Sequence, residues 1–228
     1  MAFAILTIGC GEKKSDGVNV DELEDREGVF YLKLSNTPYT GKSFELHENG
    51  NKKSEETWKD GKQHGLAHLY YENGQMEQES NWKDGKGNGL ITDWYEDGQK
   101  KAEGNWKDGK EEGPHTHWHE NGQKKEVDNW KDGKTDGLTT IWDENGQKVE
   151  EVNFKDGKED GLRVSWYKDG QKEQESNWKD GQMDGTLALW HKNGKKMAQG
   201  TAKGGKSISR QFWNSKGEEV DSMEKAKQ

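Results

Sequence analysis

Glycine returns along this chain on a fixed 24-residue beat, and no other feature restricts the fold as much. One series runs Gly50, Gly74, Gly98, Gly122, Gly146, Gly170 and Gly194, nearly all preceded by Asn or Asp. A second runs Gly41, Gly65, Gly89, Gly113, Gly137, Gly161 and Gly185. In the same phase, Trp58, Trp82, Trp106, Trp130, Phe154 and Trp178 each precede Lys-Asp-Gly. The unit reads G-L-x-x-x-W-x-E-N-G-Q-K-x-x-E-x-N-W-K-D-G-K-x-x. Glycine this frequent denies any uninterrupted helix. Two turn signals per unit, separated by segments of roughly nine residues, predict a chain of β-hairpins. Worn copies flank the array: Leu34-Ser35-Asn36-Thr37 stands for the first Trp-Lys-Asp-Gly, and Ala202 to Gly205 and Trp213 to Gly217 are degenerate. Such end units are expected where a solenoid closes itself.

Composition matters here because it removes the usual core. Only 27% of the 228 residues are hydrophobic and 35% are charged, with a mean hydropathy of −1.39. These values resemble those of disordered chains. The 11 Trp, placed at regular intervals, argue instead for order built from repeated aromatics along an extended structure. The expectation is therefore an all-β fold: an elongated, single-sheet antiparallel β-meander of about eight 24-residue hairpin units. About 16 strands at roughly 4.8 Å spacing give a ribbon on the order of 75 Å long.

Strand periodicity assigns faces. Leu90, Thr92 and Trp94 share one side of their strand, as do Leu138, Thr140 and Trp142, and Leu162, Val164 and Trp166. In the following strand Trp106 lies with Gly104 and Ala102, and Trp178 with Ser176, so large rings neighbour small residues. Whether both ring rows meet depends on the turns. Two-residue type I′ turns throughout would put Trp94 and Trp106 on opposite faces. Three-residue turns closed by a glycine bulge would bring every ring to one face. The expectation is the three-residue form, since so few apolar residues favour one core over two.

The unit W-x-E-N-G-Q-K-x-x-E-x-N-W-K-D-G-K-x-x-G resembles the bacterial variant of the MORN repeat, from about Tyr39 to Gly217. That resemblance implies a binding or scaffolding β-ribbon with no catalytic residues to carry over. It also implies an antitoxin-like component of a toxin–antitoxin system, often made as a lipoprotein.

The chain opens with its one strongly apolar stretch, Met1 to Gly9, followed by its only cysteine, Cys10. The segment resembles the end of a bacterial lipoprotein signal, with Cys10 as the lipidation site and acyl chains as the membrane anchor. The organisation read from sequence is 1–10 signal remnant, 11–28 polar tether, 29–218 repeat array and 219–228 polar tail. The expected location is the bacterial cell envelope, with a cytoplasmic protein as the alternative. A net charge of −9 gives no long-range attraction to nucleic acid.

His115, His117 and His119 alternate along one strand, a spacing at which imidazoles can share a metal ion. Neighbouring units carry Ile91, Asp93 and Tyr95 or Thr139, Ile141 and Asp143 there, so variation from copy to copy is the simpler reading. Glu79, Glu103, Glu151 and Glu175 recur in unit after unit, which points to cross-strand pairing with lysines and away from acid–base catalysis. No cofactor is called for. Tyr71, Tyr95, His115, His117, His119 and Tyr167 form the candidate face for a protein partner. The alternatives are a structural envelope lipoprotein without a specific ligand and a metal-binding protein using the three histidines.

Overall fold

The computed structural model describes residues 17–227. It is nearly all β. Strands β1 (Val18–Asn19), β2 (Leu23–Arg26), β3 (Val29–Leu32), β4 (Gly41–Leu46), β5 (Lys52–Lys59), β6 (Lys62–Tyr70) and β7 (Met76–Lys83) open the chain. From β4 to Glu219–Val220 each strand pairs antiparallel with its sequence neighbours, and β1 adds to β4 in parallel, giving one 20-stranded sheet. β2 and β3 form a separate hairpin. The only helices among the described residues are a 3-10 turn at Val20–Glu22 and α1 (Met223–Ala226). The sheet exceeds the expected 16 strands because β1 is added to it and three units break their opening strand after the Lys-Asp-Gly turn, as at Lys86–Gly87 and Gly89–Trp94.

The two turns of each unit differ, and the difference sets the faces. Asp60 and Gly61 lie at φ 50° and 75°, as do their equivalents through Asp180 and Gly181, so Lys-Asp-Gly-Lys is a two-residue turn of type I′. Asp tolerates this left-handed region better than most side chains. The Asn-Gly turn has the expected three-residue form: Gly50 N donates to His47 O at 2.9 Å, His47 N donates to Asn51 O at 2.8 Å, and Gly50 sits at φ 85°. One further residue then bulges out of the next strand. Trp94 faces Lys100 but Asp93 faces Ala102, which leaves Lys101 unpaired. The same slip recurs at Lys53, Glu77, Lys125, Val149, Glu173 and Met197.

That bulge corrects the single-face expectation. Trp106 faces Gly89 and Trp130 faces Gly113, so this ring row shares a side with Gly104, Ser80, Ser176 and His115. Trp94, Trp142 and Trp166 lie on the other side with Thr92, Thr140 and Val164. The physical reason is that a one-layer sheet has two faces to cover. The small residues under each ring row are deeply buried: Ser80 is 3% exposed and Ser176 0% on one face, Thr92 5% on the other. Trp82 and Trp178 donate their indole N–H to Ser80 and Ser176 Oγ at 2.9 Å, so each ring lies over its own strand.

Repeats are bonded to one another along both edges of the ribbon. On the Lys-Asp-Gly edge, Gly61, Gly85, Gly109, Gly133, Gly157, Gly181 and Gly205 donate to the carbonyls of Tyr39, Gln63, Gly87, Glu111, Thr135, Glu159 and Met183, at 2.7 to 3.1 Å. On the opposite edge Asn49, Asn73 and Asn121 pass an amide to the carbonyl of Glu72, Glu96 and Glu144 in the next turn. Inside the unit, Asn81, Asn129 and Asn153 donate to Leu90, Leu138 and Leu162 O, where the strand widens around glycines at φ 117°, 126° and 116°. A Cβ on Gly161 would lie 3.1 Å from that of Asn153.

Two boundary expectations are also corrected. Residues 18–28, read as tether, are built into the structure: Glu27 and Gly28 make a left-handed turn, and β2–β3 folds onto the first repeat. Its Phe30 ring lies 4.5 Å from that of Trp58, within a cluster of Leu23, Tyr39 and Trp58 that Val18, Phe30 and Leu32 pack against. Residues 219–228, read as a tail, include a strand paired with Phe212 and Trp213, then α1, whose Ala226 is fully buried. Residues 1–16, with the signal remnant, Cys10 and the start of the tether, lie outside the described residues.

Phe30→Ala should cost about 2 kcal/mol, below the value for a fully enclosed ring because Phe30 is only half-buried. Acrylamide quenching of Trp58, isolated by replacing other tryptophans with Phe, should rise at denaturant levels where the central units stay folded. Unchanged quenching would show that the hairpin does not seal the first repeat.

Candidate partner-binding site

The rings proposed from sequence for recognition prove to be engaged between repeats. Tyr71, Tyr95 and Tyr167 donate their phenol O–H to the carbonyls of Trp94, Trp118 and Trp190, each one unit onward, at 2.6 to 2.7 Å. His47, His119 and His191 use Nε2 in the same way on Tyr70, Trp142 and Trp213 O. Burial, followed by nearby carboxylates, pushes the three phenols above the usual tyrosine range. In the one unit with Asp143 at this place, the carboxylate turns inward to accept from Asn145 N and Gln147 N. Those bonds hold it below the ordinary aspartate range.

His115 and His117 lie on the other ring face, in its centre. His115 is 5% exposed, sits between Trp106 and Trp130 at 4.7 and 5.8 Å, and uses Nε2 on Asn105 O. Its ring fills the space above Gly104, where a Cβ would lie 2.5 Å from it. The histidines therefore do not act as one set: His115 packs, His119 clips two repeats, and only His117 is left. Among the described residues no group of three His, Cys, Asp or Glu could hold a metal ion. The shared-metal alternative is thereby corrected.

Asp128 lies beneath Trp130 at the place held by Gly104 and Val152 in the adjacent units and by Ser80 and Ser176 two units away. Its Oδ1 and the Trp130 Nε1 are buried without hydrogen-bond partners, unlike the Ser80–Trp82 and Ser176–Trp178 pairs. Glu126, next on this face and opposite His117, is raised above the usual glutamate range by burial first and by Asp128 second, with His117 and Lys125 opposing.

Three of the four recurring glutamates pair with a lysine of their own strand, whereas Glu79 meets His68 Nε2 across the strands at 3.2 Å. Lys100–Glu103, Lys148–Glu151 and Lys172–Glu175 are i,i+3 pairs that the bulge brings to one side. The same lysines lie 5.4 to 5.8 Å from the centres of the Trp118, Trp166 and Trp190 rings of the next unit. This second ring row is thus partly covered by lysine stems.

Two apolar surfaces remain. On the Trp94 face Leu66, Leu90, Leu138 and Leu162 are 45%, 42%, 42% and 40% exposed at one position in four units. On the Trp58–Trp178 face, grooves open beside the turn glycines. One lies between Trp82, Ile91 and Trp106, and a larger one of about 570 Å³ runs from Trp178 to Phe212. Sequence reasoning passed over both. The leucine stripe was visible as the Leu after Gly65, Gly89, Gly137 and Gly161, whereas the grooves follow from the split of the ring rows.

Glu126→Gln should stabilise the protein at neutral pH. Because the folded-state pKa is raised, Glu126 costs nothing below its unfolded pKa, and its penalty grows as pH rises through the folded value. The variant's advantage in thermal midpoint should therefore be present at pH 7 and fade as pH falls through the carboxylate range. A pH-independent difference between the two proteins would refute this account of Glu126.

No curated protein matches the chain. The family described as MORN repeat variant matches residues 39–60, 63–84, 88–108, 111–132, 135–156 and 159–180, more than half the chain. Those six segments are the bonded units of the ribbon, and the chain belongs to the MORN repeat variant family.

Proposed function

We propose that this protein is a non-enzymatic scaffold that binds a protein partner along its ribbon, as MORN repeats commonly bind proteins or membranes. The observation that carries this reading is the exposed leucine stripe. A chain with 27% hydrophobic residues leaves Leu66, Leu90, Leu138 and Leu162 in solvent at the same register in four of five successive units, with Pro114 at that place in the unit between Leu90 and Leu138. Contiguous apolar surface on a rigid support is what a partner interface requires. The inter-repeat bonds of Tyr71, Tyr95, His119 and Tyr167 supply the rigidity, so binding costs little ordering. Replacing Leu90 and Leu138 together with Lys should abolish capture of the partner by the purified, immobilised protein while moving the thermal midpoint by only a few degrees. Retained capture would sink this assignment of the surface.

The resemblance stated for the repeat carries the reading two steps further: the partner is a toxin that the ribbon neutralises, and Cys10 holds the ribbon at a bacterial membrane. A solitary cysteine directly after the one apolar stretch supports the second step. Intact mass of the full chain made in its native host should show cleavage before Cys10 and added acyl mass, and Cys10→Ser should move the protein to the soluble fraction. An unmodified Cys10 in that host would remove the tether.

A further inference from the structure

The first repeat shows what fills a groove on the Trp58–Trp178 face. β3 crosses the mouth of the Lys-Asp-Gly turn, and its Phe30 N donates to Gly61 O at 2.8 Å while Phe30 O accepts from Tyr39 N at 2.8 Å. The Phe30 ring lies 4.5 Å from Trp58, and Val29 and the Phe30 backbone press against the Cα of Gly61, so closely that a Cβ there would lie 2.4 Å from Val29 Cγ1. Trp58 is thereby only 5% exposed, whereas Trp82, Trp106, Trp130 and Trp178 stay half-buried. The turn glycine has no side chain, and its carbonyl points outward. Together they make a seat for one residue of an extended strand, with the neighbouring indole as the floor.

The same seat recurs down the ribbon. Among the described residues the carbonyls of Gly85, Gly109, Gly133, Gly157 and Gly181 accept no hydrogen bond. The central seat is obstructed, since His115 already lies between Trp106 and Trp130. At the far end the seat is widest: Trp178, Gly181, Met183, Leu187, Ala198 and Phe212 line the groove of about 570 Å³. Arg210 also lines it, and the two turns at its mouth carry Lys179, Lys203 and Lys206 against Asp180 and Asp184, which leaves a basic excess there. The segment that occupies the first seat is acidic, with Glu22, Glu24, Asp25 and Glu27 around Phe30. The end groove therefore matches the chemistry of that segment in both ring and charge.

We infer that the Trp178–Phe212 groove docks an extended, acidic segment of a partner protein, with an aromatic side chain on Trp178 and its backbone N–H on Gly181 O. The mode is strand recognition in which main-chain bonds give affinity and one pocket gives selectivity. The site lies on the face opposite the leucine stripe, so loss of either leaves the other intact.

The test uses the full chain and, as probe, a synthetic peptide of its own residues 20–33, the segment seated at Trp58. Titration followed by indole N–H resonances should give saturable shifts at Trp178, weakening severalfold between low and high salt. A peptide carrying Phe30→Ser should bind about tenfold more weakly, which needs no change in the protein and so no folding control. In the protein, Leu187→Glu should abolish the Trp178 response while Trp58 and Trp82 keep their positions. Equal binding of both peptides, shifts at Trp58 alone or no saturable shift would each overturn the inference. So would concentration-dependent self-association of the free chain through Trp178, because the occupant would then be a second copy.

Discussion

Each turn glycine donates its N–H to a carbonyl of the unit before, and the ribbon depends on that bond. It needs a residue at positive φ without a side chain, so that two consecutive turns can lie against each other. The Asp before it also sits at positive φ, near 50°, in six turns from Asp60 to Asp180. Once the turn is fixed, the next strand can pair in only one register, and the side chains of each face are set. The asparagine, tyrosine and histidine bonds on the opposite edge repeat the same relation one unit at a time. Stability in such an array is close to a sum of neighbour terms, each of about 0.5–1.5 kcal/mol per bond, with no central core to share the load.

Much of this was legible because the determinants are local. Period, turn glycines, hairpin order and the partnership of rings with small residues all follow from adjacent positions, as in Ser80-Asn81-Trp82 or Ser176-Asn177-Trp178. The side each ring row occupies was not legible, because one bulged residue per hairpin decides it. Nothing marks that residue: Lys53, Glu77, Lys101, Lys125, Val149, Glu173 and Met197 share no chemistry. The bulge is a consequence of joining a three-residue turn to a two-residue turn in one twisted sheet, and it is read from pairing alone. The inter-repeat bonds of Tyr71, Tyr95 and Tyr167 were not legible for a similar reason. Their partners are main-chain carbonyls 23 residues away, which carry no sequence signal.

The split ring rows explain how a chain so poor in aliphatics stays ordered. A single-sided core would leave the other face of a one-layer sheet bare, with its backbone bonds open to water. Here each face carries rings over serine, threonine, glycine or alanine, and neither needs a second layer. The two faces differ in finish. Lysine stems lie over the Trp118, Trp166 and Trp190 rings, which makes that row a closed, salt-sensitive surface apart from its leucines. In the interior of the Trp58–Trp178 face the cover is limited to His115 and to Arg163, whose guanidinium lies 6.0 Å from the centre of the Trp178 ring, so it is the face on which added chain can bury area.

The ends complete the argument. A sheet of this length would present two open edges able to recruit other strands. At one end β1 pairs with Ser43 and Phe44 over only two residues, in parallel, and at the other Glu219 and Val220 pair with Trp213 and Phe212. Both edge strands are too short to template another chain. The segments beyond them fold back onto the Trp58–Trp178 face, as the β2–β3 hairpin at the start and as α1 at the finish. The hairpin brings Phe30 to the indole, so its seat is full. α1 brings only Met223 to the rim of the last groove, and its four residues cannot reach Trp178 with a ring of their own. The two caps thus solve the same edge problem while leaving opposite results on the face between them, and the repeat nearest the carboxyl end keeps the larger apolar groove.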